Sequence, residues 1–337
     1  MSDTPPSPAL FFDVINAYQK TAALKAAIEL DLFTHLDESP ARSAVLASRC
    51  SAAPRGVRIL CDFLVIHGFL EKLAEEYALT RDSAVFLSRR SPAYAGGAVA
   101  FLLSPEISGA YDDLAAAVRH GGTVCGELGT VAPEHPVWLE FARSMGPLMQ
   151  PNAQALAELV PLPPEAPATV LDISASHGAY GIAFAQRFPQ VRLVALDWAP
   201  VLEITRENAV AAGLAERFST IAGSAFSAEL GSGYDVALIP NFLHHFSMAD
   251  CVVFLRRIHM ALDFGGHIGI VEFVPNPDRV SPPTAAGFSL VMLGTTPEGD
   301  AYTFAEYDAM LREAGFTGIR AERLPAGEAT AVLAIKR

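Results

Sequence analysis

Charge is scarce in this 337-residue chain, at 18% of residues, and it leans negative: 24 Lys and Arg stand against 37 Asp and Glu, a formal net charge of −13. That shortage of cations argues against nucleic acid, whose binding rests on neutralising phosphates. Apolar runs long enough to cross a bilayer are missing, so no membrane partner is expected. Cysteine is sparse. Cys50, Cys61, Cys125 and Cys251 show no paired spacing, which excludes a disulfide framework and reads as reduced thiols in a cytoplasm. The opening MSDTPPSPAL lacks the basic-then-apolar order of a secretory leader. What is abundant is apolar: 51% of residues are hydrophobic. A globular chain of this length has room for two domains, because single cores stop growing at roughly 250 to 300 residues.

The first hundred residues read as helices. In FFDVINAYQKTAALKAAIELDLFTHL, apolar residues recur at three- and four-residue steps. SAAPRGVRILCDFLVIHGFLEKLAEEYALT follows as a helix with Pro54 near its start and Gly68 near its end, then two short strands around 70–73 and 77–80. That order predicts a winged helix over residues 1–110. A DNA-binding role is disfavoured: the segment holds ten Lys and Arg against twelve Asp and Glu. Its would-be recognition helix turns apolar after Arg55 and Arg58, which suits packing, and dimerisation, better than a wet phosphate-lined groove. Residues 111–160 are expected to form a helical connector carrying VWLEFARSM.

From Ala166 the pattern changes. ATVLDIS, VRLVALD, RFSTIAG, YDVALIP and GHIGIVEFV alternate with helical stretches such as APVLEITRENAVAAG and MADCVVFLRRIHMAL. Such alternation predicts a parallel sheet covered by helices, an α/β fold over 161–337. GIRAERLP and TAVLAIKR close the chain as an antiparallel hairpin at the sheet edge.

In a doubly wound sheet, ligands sit beyond the carboxyl ends of the strands. LDISASHGAYG, residues 171–181, ends the first strand there, and the second strand ends in Asp197, placed to accept the hydroxyls of an adenosine ribose. A pyrophosphate would require G-x-G-x-x-G; here the loop is Ser174-Ala175-Ser176-His177-Gly178, preceded by Asp172. A carboxylate at that place repels a pyrophosphate and suits the ammonium of a cationic cofactor. S-adenosylmethionine is expected over a nicotinamide dinucleotide.

Taken in order, VLDISASHG, VALDWAPVLE, PNFLHHFSMADC, GGHIGIVEFVP and YTFAEYDAMLREAGF resemble the class I S-adenosylmethionine-dependent small-molecule O-methyltransferases, those of the plant caffeic acid, acetylserotonin and bacterial hydroxyneurosporene type. The resemblance covers nearly the whole chain and implies a Rossmann-like methyltransferase sheet with a C-terminal antiparallel hairpin, a winged-helix dimerisation domain, and a homodimer. It also implies that Asp172, Ser174 and Gly178 line the methionine end of the cofactor, Asp197 the ribose, Trp198 the adenine edge, and Gly223, Ser224, Ala225 and Phe226 the adenine. Ser174, Ser176 and Ser224 depart from the family pattern. A side chain at a position that demands positive φ would be strained.

A hydroxyl is a poor nucleophile until its proton is taken, and a neutral imidazole can take it at pH 7. The resemblance gives that role to His244, with His245 at the place usually held by Asp, and gives the orienting carboxylates as Glu272 and Glu306. It assigns the acceptor walls to Val137, Phe141 and Met145 on one helix face, and to Phe288, Met292 and Thr296. The acceptor is expected to be a hydroxylated aromatic or polyketide-like small molecule. His177 lies inside the cofactor loop. Rival readings are C- or N-methylation or a non-methylating reaction on the same fold, a metal held by His244 and His245, and a winged-helix regulator that senses a ligand. Successive strand residues point to opposite faces, so the two histidines could share an ion only where the strand has ended. No further His or Asp cluster completes a ligand set, and no metal is expected.

Overall fold

The computed structural model describes residues 5–163 and 165–337. Met1 to Thr4, the first part of the segment read against a secretory leader, lie outside the described residues, as does Pro164. No described helix is long and apolar enough to cross a membrane. The chain divides into two units, 1–99 and 100–337, so residues 111–160 fall within the second.

In the first unit the long periodic stretch breaks into three helices, Ala9–Ile15, Ala17–Glu29 and Leu32–Glu38. One break falls at Asp31, whose φ of 52° no helix tolerates. Two further helices, Ser43–Arg49 and Pro54–Ile66, lead into a three-stranded antiparallel sheet. Its strands are β1 (Ala41–Arg42), β2 (Leu70–Leu73) and β3 (Glu76–Leu79), in the order β1-β3-β2. Pro54 occupies the first turn of its helix, where its missing N–H costs nothing. The helix buries Val57, Cys61 and Leu64 in the core of this unit. Arg58 on its outer side is tied to Asp62, which also holds Lys72 and the Tyr77 hydroxyl.

The second unit carries a seven-stranded sheet: β4 (Ala168–Ile173), β5 (Val191–Asp197), β6 (Phe218–Ala222), β7 (Tyr234–Pro240), β8 (Leu262–Phe273), β9 (Phe316–Arg323) and β10 (Ala329–Lys336). Their order is β6-β5-β4-β7-β8-β10-β9. The first five run parallel, and β10 enters antiparallel between β8 and the edge strand β9. Order reverses between β4 and β7, so the crevice beyond their carboxyl ends is the switch point. Both faces of the sheet are covered. Phe254, Leu255 and Ile258 of Met248–Ala261 fill one side, and Tyr180 and Phe184 of Ala179–Arg187 fill the other with Leu156 of Gly146–Leu159. The segment expected to be helical throughout 111–160 instead has helices Leu114–His120, Val137–Ser144 and Gly146–Leu159, with a loop over 121–136 rich in Gly and Pro.

Phe254 is fully buried against the rings of Phe226 and Phe242. Truncation to alanine is expected to cost about 3–5 kcal/mol in chemical denaturation. A loss under about 1 kcal/mol would mean that this cluster does not support the sheet.

Candidate active site

Two loops define the crevice. The first follows β4. Backbone φ is positive at Ser174 (52°), Ser176 (54°) and Gly178 (78°), so the chain turns left-handed at every second residue. Glycine takes that conformation freely, whereas an L side chain costs roughly 1–2 kcal/mol. The two serines therefore carry the strain their residue type implied. Surrounding contacts hold them there. Ala175 N–H donates to the Leu196 carbonyl at 3.1 Å, Ser176 N–H to Asp197 Oδ2 at 2.8 Å, and Gly178 N–H to the Ala175 carbonyl at 2.7 Å. The Thr205 hydroxyl donates to the Ser176 carbonyl.

Asp172 closes the end of β4 and is 1% exposed. Its Oδ2 accepts the Gly181 N–H at 3.0 Å, while Oδ1 is buried without a partner. Gly181 is required for this grip, because a Cβ there would come within 2.7 Å of Oδ2 and 2.6 Å of Leu193. Burial, reinforced by Asp197, pushes the Asp172 carboxyl up to about 8. Asp197 ends β5, and burial lifts it to about 6 although Ser176 and Trp198 N–H groups both donate to it. Each of its oxygens keeps a lone pair for a further donor. An unpaired buried carboxyl oxygen, beside a second acid with acceptor capacity, is the acceptor set that an ammonium and a ribose diol satisfy. These residues fit S-adenosylmethionine.

In the segment 223–226, expected to meet the adenine, Gly223 N–H donates to the Asp197 carbonyl at 3.0 Å, and Ser224 Oγ accepts the Phe226 N–H at 3.2 Å. Ala225 is buried. Phe226 points its ring into a cluster with Phe242, Phe246 and Phe254, so its side chain serves the core. His177 is buried and its Nδ1 accepts the Ala179 N–H, which puts the ring proton on Nε2; burial lowers its pKa to about 4. The Phe141 ring stacks on it at 5.9 Å with an interplanar angle of 16°.

The second loop follows β7. The strand ends at Pro240, and Leu243–His245 form a single 3-10 turn. Both histidines therefore lie off the strand, and their ring centroids are 4.2 Å apart. Glu272, fully buried in β8, organises this turn. Its Oε1 accepts the N–H groups of Phe242 (3.1 Å), Leu243 (2.8 Å) and His244 (3.4 Å), and its Oε2 accepts from His244 Nδ1. A carboxylate only accepts, so Nδ1 carries the proton and Nε2 keeps its lone pair. His245 Nδ1 donates to the Phe242 carbonyl at 3.1 Å; burial and the neighbouring His244 hold its pKa well below the usual range. The carbonyl side of the turn is held by the Cys251 thiol on Leu243 at 3.2 Å and the Tyr302 hydroxyl on Phe246 at 2.5 Å. Among the described residues, no group of three or more His, Cys, Asp and Glu is gathered as for a metal.

Glu306 stands apart from this arrangement. Its Oε2 accepts Thr303 N–H and hydroxyl in a capping box that starts the helix Phe304–Glu313, and its Oε1 binds Arg279 at 2.5 Å. The carboxylate that meets His244 is that of Glu272, whereas the hydrogen bonds of Glu306 go to Thr303 and Arg279. The TFAE sequence carried the warning, since Thr followed three residues later by Glu is the capping-box pattern.

Of the expected acceptor walls, Phe288 lies edge-on to His244 at 4.8 Å. Met292, Met145 and Val137 are buried. Thr296 is spent on the helix end, donating to the Met292 carbonyl and accepting the Gly299 N–H. Trp138, outside the expected walls, lies beside them: its ring meets His245 at 5.2 Å and Phe141 at 6.1 Å, and its Nε1 donates to the Thr130 carbonyl. Its place three residues before Phe141, on the same helix face, was the available signal. A cavity of about 280 Å³, lined by Glu106, Cys125, His135 and Thr295 among others, also touches Thr130.

Comparison with known proteins decides the family. A model of the O-methyltransferase domain matches residues 111–317, and a model of the O-methyltransferase dimerisation domain matches residues 12–89. The chain belongs to the S-adenosylmethionine-dependent small-molecule O-methyltransferases. It is 30% identical to a 3-hydroxy-5-methyl-1-naphthoate 3-O-methyltransferase of Streptomyces sahachiroi, over 99% of this chain and 97% of that one. A crystal structure from Nostoc punctiforme, assigned to the O-methyltransferases, is 51% identical with a TM-score of 0.95, covering 99% and 100% of the two chains. Human N-acetylserotonin methyltransferase, solved with S-adenosylmethionine, shares the fold at 23% identity and a TM-score of 0.85, covering 100% and 99%. This O-methyltransferase therefore uses S-adenosylmethionine as its methyl donor.

A protonated Asp172 must lose its proton to meet an ammonium. A carboxyl raised in the folded protein and ordinary in the unfolded one destabilises the free protein progressively as pH rises from about 4 to about 8. Titration of S-adenosylhomocysteine at pH 7, in buffers of differing ionisation enthalpy, is expected to release close to one proton per site. No buffer dependence would show Asp172 already ionised.

Proposed function

We propose that this enzyme transfers the methyl group of S-adenosylmethionine to a hydroxyl of an aromatic or polyketide-like small molecule, with His244 as general base. The contact of His244 Nδ1 with buried Glu272 carries the reading. Bound cofactor supplies an electrophilic methyl carbon on a sulfonium. His244 Nε2, left unprotonated by that contact, takes the acceptor's hydroxyl proton as the oxygen attacks. Glu272 fixes the tautomer and stabilises the imidazolium that forms. Its hold on three successive N–H groups positions the turn, so one carboxylate sets both the ring and the backbone beneath it.

Phe288, Trp138, Phe141 and Met292 support an aromatic acceptor, because flat rings and a polarisable thioether suit a planar ligand. The naphthoate substrate named for the Streptomyces relative agrees with that chemistry. The N-terminal unit is read as a winged helix that joins two copies. Leu10, Phe11, Phe12, Val14 and Ile15 of its first helix are all more than half exposed, an apolar surface that a homodimer would cover. With its four free cysteines, the enzyme is read as working in a reducing cytoplasm.

His244→Ala is expected to lower methylation of an accepted hydroxyaromatic by roughly a hundredfold or more, with S-adenosylhomocysteine affinity nearly unchanged in calorimetry. Full turnover in that variant would move the base elsewhere, and product analysis with methyl-labelled cofactor separates O- from C- or N-transfer. Sedimentation velocity is expected to give a dimer; a monomer at micromolar concentration would sink the assignment of the apolar N-terminal face.

A further inference from the structure

Two features meet at Ser176, and the packing around it explains neither. Its backbone is held left-handed, where glycine is the ordinary occupant. That conformation is locked from both sides, by its N–H on Asp197 and by the Thr205 hydroxyl on its carbonyl. Its Oγ is buried with no hydrogen-bond partner. Hydroxyls removed from water are nearly always paired, and strained residues gather where a ligand binds. Glycine would remove the strain and the unpaired atom together, so the serine is costly to the free protein on two counts.

We propose that the Ser176 hydroxyl is a ligand of the cofactor, hydrogen-bonding a ribose hydroxyl of S-adenosylmethionine and sharing that sugar with Asp197. The ribose is assigned because the amide of Ser176 is bonded to the carboxylate that ends β5. A carboxylate only accepts, whereas a serine hydroxyl both gives and accepts; between them they can serve the two hydroxyls of a vicinal diol. Ser174 differs, since its hydroxyl is not among the buried unpaired atoms. Strain in the loop is then offset on binding: the serine that destabilises the free turn adds a contact that a glycine loop cannot make. The inference rests on the family's cofactor and on Asp197 holding the ribose, and is independent of the acceptor and of the role of His244.

S-adenosylhomocysteine and methylthioadenosine, which keeps the ribose and lacks the amino acid, would be titrated into the wild type, Ser176→Gly and Ser176→Ala. Thermal unfolding of each unliganded protein accompanies the titrations. The glycine variant is expected to unfold at higher temperature and yet bind both ligands about five- to thirtyfold more weakly. The alanine variant, which keeps the strained backbone, is expected to lose the same affinity. A glycine variant that binds as tightly as wild type overturns the proposal, and so does a loss seen in glycine but absent in alanine, which would trace the effect to the backbone. Loss confined to S-adenosylhomocysteine would place the hydroxyl at the amino-acid end and overturn the ribose assignment. A wild type that binds neither ligand would remove the cofactor premise itself.

Discussion

The Glu272 carboxylate is the constraint on which the turn after β7 depends. It sits at the end of β8 with no exposure, accepts three consecutive backbone N–H groups and holds the Nδ1 proton of His244. A buried carboxylate is stable only when donors surround it, and this turn provides them. The leading amides of this 3-10 turn, at 242–244, have no acceptor within the turn itself. Each group therefore meets the other's need: the charge is paired, the backbone is satisfied, and the imidazole acquires one tautomer.

The loop after β4 is built on the opposite plan. Where Glu272 is saturated, Asp172 keeps a buried oxygen unpaired and Ser176 keeps both a strained backbone and an unpaired hydroxyl. Folding alone leaves these polar atoms unsatisfied, at a cost that stability elsewhere must cover. The sheet supplies it: β4, β5, β7 and β8 are flanked on both faces by buried aromatic and aliphatic side chains. Rigid strands ending in an incompletely satisfied loop are what a site needs if its ligand is to complete the hydrogen bonding. Phe141, stacked on His177, ties the helix Val137–Ser144 to that same loop.

Glu306 and Trp138 show how far residue order carries an assignment. The resemblance implies an orienting acid at Glu306, yet its oxygens are taken by its own helix cap and by Arg279. Local hydrogen bonding three residues away competes with any long-range role, and here the local one prevails. Trp138 lies one residue past Val137, and the helical turn, not the family spacing, selects which of them meets His245.

The sequence by itself determined the strand and helix alternation, the acidic ends of β4 and β5, and the left-handed strain implied by serine in a glycine loop. These are legible because period, burial and φ preference are properties of short segments. The position of β10 inside the sheet edge, the convergence of Glu272 on a turn 28 residues earlier, the unpaired Oδ1 of Asp172 and the absence of a Cβ at Gly181 that lets the acid be gripped were decided only in three dimensions. They depend on which distant backbone amides happen to face a buried carboxylate, and no local pattern encodes that.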